Sequence, residues 1–360
     1  MQNKTTEKIY AHGRNRAGAL ISAGTALLCA ILLLSACAPQ RADPTGSPGA
    51  WGSKTASAGA QPSENDADGV FTIAVIPDTQ QEVIITEAII NKHFLNRTRW
   101  LADNKEKLDL RFVIHTGDIV NWGNEDPAQF EIASEAFEAL EEAGLPAALC
   151  LGNHDTAAVG VGGSAADPEN TRARLRDTRA FNKYFPPERY PGCVTFEKGK
   201  LDNAYQLFEA CGKKWMVITL ELWPRIEVVN WADKVIQAHP ERNVIIATHA
   251  YLDNLGGIGQ NSDYGATSPQ YLYDNLISRH ENIKLVFSGH NGETAYRVDY
   301  CPSGGKVASI LGCYHSNKKN PVQIVEINVN QGTVCSRVFT PIDGDELMEH
   351  EHNIIGMDFI

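Results

Sequence analysis

Five short segments of this chain hold residue types that bind metal ions and move protons. They are Asp78-Thr79-Gln80, Gly117-Asp118, Gly152-Asn153-His154-Asp155, His249 and Gly289-His290. Carboxylates, amide oxygens and imidazoles are the donors that divalent cations take from proteins. Two such cations sharing one Asp can make a hydroxide at neutral pH and clamp a phosphate. A single Asp after a strand is more often a turn residue or cap, and a single His more often packs in a core. The weight here rests on five segments of the same kind in one chain.

Each segment follows an apolar, β-branched run: 70–76, 110–114, 147–151, 244–247 and 283–287. Such runs read as buried parallel strands, and in open α/β sheets functional groups collect at the strand carboxyl ends. Helical periodicity is expected over about 86–107, 127–143, 226–238 and 270–279. Pro127 suits a first helical turn and Gly144 a helix end. Beyond Gly289 the pattern is strands only, near 293–299, 306–311, 322–329 and 333–339, with a further strand at 214–220. These elements predict an α/β fold, two mixed sheets packed together with helices outside. Two long polar loops, 156–170 and 252–267, are expected to border the site and set its selectivity. Asn121 is a candidate substrate-binding residue in the turn after Asp118. His115, His93, His239, His280 and His315 read as structural, packing or surface residues. His350 and His352 lie in an acidic stretch, 341–360, read as a peripheral tail.

The 360 residues carry a formal net charge of −12, a poor platform for long nucleic acid, whose affinity comes from Lys and Arg against phosphates. The amino terminus is different. Lys4, Lys8, Arg14 and Arg16 precede an apolar run from Ala19 to Leu34, and Leu34-Ser35-Ala36-Cys37 follows. This resembles a bacterial lipoprotein leader (1–36) with Cys37 as the lipidated residue. An uncleaved membrane anchor is the other reading. Both put the remaining chain outside the cytoplasm, on the cell membrane. Residues 37–69 have a tether's composition, leaving 70–340 as the main domain. Six further cysteines permit disulfides in an exported domain. Cys193 with Cys211 is the preferred pair, Cys301 with Cys313 or Cys335 another, and Cys150 a free core thiol.

The segments together resemble the calcineurin-like metallophosphoesterases, whose pattern is D-x-H, G-D, G-N-H-D/E, H and G-H-x-H. The resemblance covers about 70–340 and implies a four-layer α/β sandwich, two divalent metal ions (Mn, Mg, Fe or Zn) and hydrolysis of phosphomonoesters or phosphodiesters. It implies that Asp118 bridges both metals, that Asp78 binds the first, and that Asn153, His249 and His290 bind the second. His154 then protonates the leaving group while metal-bound hydroxide attacks phosphorus. Asp155 is expected to hydrogen-bond the His154 ring and fix its tautomer.

The chain departs from the pattern at two positions. Gln80 stands for the D-x-H histidine and Gly292 for the last histidine of G-H-x-H. Both changes fall on the first metal. Gln80 can offer an amide oxygen, and Glu293 or Asn291 is near enough in sequence to replace the other ligand. An oxygen-rich first site would favour Mg²⁺, Mn²⁺ or Ca²⁺ over Zn²⁺. The rival reading is a catalytically impaired lipoprotein that keeps one metal and binds a phosphorylated ligand.

Overall fold

A computed structural model describes residues 68–84, 92–315 and 319–360. The expected leader, Cys37 and nearly all of the expected tether lie outside the described residues. Among the described residues no helix is long and apolar enough to cross a membrane.

Two sheets carry the structure. The first contains β1 (Val70–Ile76), β2 (Leu110–His115), β3 (Ala147–Leu149), β11 (Val322–Asn328), β12 (Thr333–Thr340), β13 (Asp345–Glu346) and β14 (His352–Ile355). Its order is β13-β12-β11-β1-β2-β3, with β14 also on β12. The second contains β4 (Val194–Thr195), β5 (Ala204–Ala210), β6 (Lys213–Leu220), β7 (Asn243–Thr248), β8 (Ile283–Ser288), β9 (Thr294–Tyr300) and β10 (Lys306–Gly312), ordered β4-β5-β6-β7-β8-β10-β9. Strands β1, β2 and β3 are parallel, as are β6, β7, β8 and β10. Their carboxyl ends therefore share one edge of each sheet.

Period-two alternation explains why the strand runs are apolar throughout. Phe71, Ile73 and Val75 point into a core shared with Trp215, Val217, Ile245, Leu285 and Phe287 of the other sheet. Ala74 and Ile76 face the opposite way, toward α1 (His93–Asp103) and α2 (Ala128–Glu142), which contribute Phe94, Leu101, Phe130, Phe137 and Leu140. On the far side, Met216, Ile218, Val244 and Ile246 pack against Val228, Val229, Ala232 and Ile236 of α5 (Ile226–Ala238) and Leu272 of α6 (Pro269–Asn275). Short helices α3 (Thr171–Arg174) and α4 (Arg179–Tyr184) complete the set. The layers run helix, sheet, sheet, helix, as the sequence predicts. Both faces of each sheet are covered, so alternation leaves no polar face.

Three expectations need correction. The stretch 341–360 is not peripheral: β13 and β14 join the first sheet, Met357 is buried, and Phe359 packs on Trp215 at 5.4 Å between ring centroids. No disulfide joins the six cysteines of the described residues. Cys193 packs against the outer helical core while Cys211 belongs to the inter-sheet core, so the preferred pair is divided by a sheet. Cys301 follows β9 and Cys313 follows β10, at opposite ends of an antiparallel pair. The helix over 270–279 ends at Asn275, and a 3₁₀ turn, Ile277–Arg279, continues it.

Candidate metal centre and active site

The turns after β1, β2, β3, β7, β8 and β10 bring the candidate residues together at the strand edge. Tight turns make this possible. Asp118 has φ 51° and His290 φ 72°, left-handed conformations that turn the backbone sharply just past the strand ends. At Gly117 (φ 103°) an added Cβ would lie 2.7 Å from both the Gly152 nitrogen and His249 Nδ1. Backbone from one sheet thus touches the metal-ligand candidates of the other, and only glycine fits.

Asp118 is the centre. Its Oδ1 accepts the His154 main-chain N–H at 3.0 Å; its Oδ2 lies 3.2 Å from Gln80 Nε2 and 3.2 Å from His249 Nε2. His249 Nδ1 donates to the Thr116 carbonyl at 2.9 Å. That contact commits Nδ1 as a donor and turns Nε2 toward Asp118 and toward His290 Nδ1, 3.1 Å away. A buried carboxylate facing an imidazole nitrogen of this kind calls for positive charge between them, from a bound cation or from a proton on Nε2. The electrostatics agree. Burial alone would lower His249, but the Asp118 charge outweighs it and pushes the imidazole up to about 9. Burial raises Asp118, and His249 with His154 overcomes that, holding the carboxyl well below its ordinary range. Burial and the neighbouring His249 bring His290 down to about 4. Asp118, His249 and His290 each present a ligand atom within 4.8 Å of the others.

Two buried oxygens reinforce this. Asn153 Oδ1 and Gln80 Oε1 have no hydrogen-bond partner. A buried acceptor left bare costs about 1–3 kcal/mol, so both fit the role of cation ligands. Carboxylate, amide oxygen and two imidazoles suit a divalent metal at Asp118–His249–His290 with Asn153 beside it.

Asp78 lies on the other side of the cluster. Burial, with the nearby Asp118 charge, pushes its carboxyl up to about 6 against the pull of His249. It accepts the His290 main-chain N–H at 3.1 Å. Its own group of three is Asp78, Cys313 and His315, again with ligand atoms within 4.8 Å of one another. Cys313 Sγ is 3.0 Å from His315 Nδ1. Reading His315 as a packing residue overlooked this, and the expected substitutes are elsewhere. Asn291 is exposed, and the mostly exposed Glu293 carboxylate lies 4.0 Å from His350. The Asp78 side is therefore not purely oxygen-rich.

His154 is held differently from expectation. Its Nδ1 faces the main-chain and side-chain oxygens of Asn121 at 2.7 and 3.0 Å, so it carries the proton and donates to both. Nε2 is left free, 3.9 Å from Asp118 Oδ2. Asp155 plays no part in that contact. Its two oxygens accept the N–H groups of Val120 (3.0 Å) and Gly152 (2.9 Å), tying two site turns together. The reason is geometric: Gly152 lies three residues back in the same turn, and the fold brings the Val120 N–H of the Asp118 turn to the other oxygen. Burial and the Asp118 charge push Asp155 up to about 8. Asn121, read as substrate-binding, is 3 % exposed and committed to His154.

His115 is structural, as expected. Its Nδ1 accepts the Gly117 N–H at 3.1 Å, so Nε2 donates to Thr79 Oγ1 at 3.0 Å, and Thr79 passes its own proton to the Ile119 carbonyl. Burial holds this imidazole neutral. The chain of bonds locks the Asp78 turn onto the Asp118 turn. Arg97 clamps the same turn from behind, donating to Glu82 at 3.0 Å inside the core.

Trp223, beyond β6, was not singled out from sequence. Its ring meets His290 edge-on at 5.6 Å and Tyr264 at 4.9 Å, making an aromatic wall beside the cluster. Of the two long loops, 156–170 places Gly163 beside His154, where an added Cβ would be 3.6 Å from the ring. The loop 252–267 supplies Tyr264.

The chain belongs to the calcineurin-like phosphoesterase family, whose model matches residues 71–292. The family implies divalent metals, and the two donor groups above suit them. An uncharacterised protein of Bacillus subtilis, YvnB, is 26 % identical over 244 residues, 66 % of this chain; the match spans 17 % of that relative's length. Among solved structures, a dimetal phosphatase from Danio rerio aligns over 80 % of this chain and 99 % of its own, with 12 % identity and a TM-score of 0.48. An NAD nucleotidase from Haemophilus influenzae aligns over 80 % of this chain and 50 % of its own, with 13 % identity and a TM-score of 0.44.

Proposed function

We propose that this chain hydrolyses small phosphate esters with the help of two divalent metal ions, on the outer side of the membrane that Cys37 anchors it to. The observation that carries the reading is the Asp118–His249 pair. A buried carboxylate and the His249 Nε2 atom face each other at 3.2 Å, with the bare Asn153 oxygen as a further donor. Asp118, Asn153, His249 and His290 would hold one cation, and Asp78, across from Asp118, would contribute to the other. Such cations supply a nucleophile from water and neutralise phosphoryl oxygens.

The remaining work falls to side chains. Asn121 fixes the His154 proton on Nδ1, so a second proton on Nε2 is the one available to the leaving oxygen as the P–O bond breaks. Trp223 and Tyr264 shield one flank from water. The acidic surface disfavours long nucleic acid and leaves phosphomonoesters or phosphodiesters as the substrate class. The rival, a one-metal binding lipoprotein, drew on the changes at Gln80 and Gly292; the thiol and imidazole beside Asp78 weaken that support.

The test is turnover of p-nitrophenyl phosphate and bis(p-nitrophenyl) phosphate by chelated protein resupplied with Mn²⁺, Fe²⁺ or Zn²⁺. The expected result is hydrolysis of at least one ester, with His154→Ala slower by about 10²–10⁴-fold. No turnover of either ester with any of these cations would contradict the reading. For the anchor, Cys37→Ser should move the protein from the membrane fraction to the soluble fraction; unchanged membrane retention would favour an uncleaved span.

A further inference from the structure

The two family histidines absent from this chain leave Asp78 short of imidazole ligands. Strand β10 runs parallel to β8, with Leu311 opposite Ser288, so the residues after β10 arrive beside Gly289-His290. There the chain carries Cys313-Tyr314-His315. Cys313 is 1 % exposed, and its main-chain N–H donates to the Glu293 carbonyl at 2.8 Å, which fixes the turn over the site. The Cys313 sulfur stands 3.0 Å from His315 Nδ1. Carboxylate, thiol and imidazole ligand atoms all lie within 4.8 Å of one another. Gly289 keeps the space open: a Cβ there would sit 2.1 Å from Asp78 Oδ1.

We infer that Cys313 and His315 replace the two missing histidines, so that the first metal is held by Asp78, Cys313 and His315 with Asp118 shared, and is Zn²⁺ or Fe²⁺ rather than Mg²⁺ or Ca²⁺. This rests on the two-metal reading above. Thiolate and imidazole are borderline-soft donors, which Mg²⁺ and Ca²⁺ avoid and Zn²⁺ or Fe²⁺ accept. A strand neighbouring the usual one thus supplies the ligands. An unliganded alternative, a simple thiol–imidazole hydrogen bond, leaves the convergence of Asp78 on the same point unexplained.

The experiment is cobalt and zinc loading of the chelated exported chain, read without turnover. Loading with two equivalents of Co²⁺ should give a thiolate-to-cobalt charge-transfer band in the near ultraviolet. X-ray absorption of the zinc form should show sulfur at about 2.3 Å. Cys313→Ser should abolish the band and bind one zinc tightly instead of two, while Cys335→Ser, away from the site, keeps both signals. His315 is only half-buried, so His315→Ala is expected to fold. It should weaken one of the two zinc sites by more than the roughly 10–100-fold that losing a supporting partner costs. A doubly loaded chain with no sulfur signal, or Cys313→Ser and His315→Ala each keeping two tight zincs, would overturn the assignment. Ester turnover alongside an absent sulfur signal would spare the enzyme reading; a sulfur signal without any turnover would spare the site alone.

Discussion

His154 Nδ1 sits 2.7 Å from the Asn121 carbonyl and 3.0 Å from its side-chain oxygen, so one residue sets both the tautomer and the tilt of the ring. Removing only the side-chain oxygen, in Asn121→Ala, keeps the tautomer through the main chain. The expected loss is about tenfold in kcat, the worth of one hydrogen bond, with metal content unchanged. Esters with poor leaving groups should suffer most. A loss equal to that of His154→Ala would show that Asn121 does more than position the ring.

Two glycines act as spacers for the carboxylates. An added Cβ at Gly152 would fall 2.0 Å from Asp118 Oδ1, and one at Gly289 2.1 Å from Asp78 Oδ1. Gly152→Ala and Gly289→Ala should therefore each lose bound metal while keeping the far-ultraviolet circular dichroism of the parent. Elemental analysis checks this; full retention of two metals in both variants would show that the carboxylates shift freely.

The Glu82–Arg97 pair supports the Asp78 turn from within the core, with Arg97 fully buried and also donating to the Asn320 carbonyl at 3.1 Å. Arg97→Met leaves a buried carboxyl without its partner. The expected cost is about 3–5 kcal/mol in urea unfolding. Removing both partners, in Glu82→Leu with Arg97→Met, should recover much of it; a double variant as unstable as the single one would contradict this account of the pair.

How much of this was legible follows from where each signal lies. Asp78, Asp118, Asn153, His154, His249 and His290 each stand directly after an apolar strand, so a local pattern exposes them. Cys313 and His315 also follow an apolar strand, 306–311, and the same strand-end rule applied there would have found them. Their place in the site is not visible locally, because β10 reaches the site only through its parallel pairing with β8. The partners of Asp155 are less legible: Gly152 lies in its own turn, but the Val120 N–H belongs to the Asp118 turn and reaches it only through the fold. The end of the chain looked peripheral because its strands are short and acidic, yet their pairing with β12 and the packing of Phe359 on Trp215 need no long apolar run.

That terminal segment gives a pH prediction. His352 Nε2 is 2.7 Å from Thr294 Oγ1, and burial with the nearby His350 lowers its pKa below the ordinary 6.5. As pH falls below about 6.5, the unfolded chain takes up a proton that the folded chain refuses, so stability drops. The contribution is fully present above the ordinary imidazole value and is lost as pH falls through the lower, folded one. His352→Gln should flatten that part of the stability profile in urea midpoints measured from neutral to mildly acidic pH. An unchanged slope would show that His352 does not titrate differently on folding.

The most direct test of the central claim is a metal titration of the chelated chain with bound metal and ester hydrolysis followed together. Turnover should appear as occupancy rises from one to two cations per chain, and Asp118→Asn, which weakens the shared ligand, should abolish it. Hydrolysis already complete at one bound cation, or absent at two, would contradict a two-metal phosphoesterase.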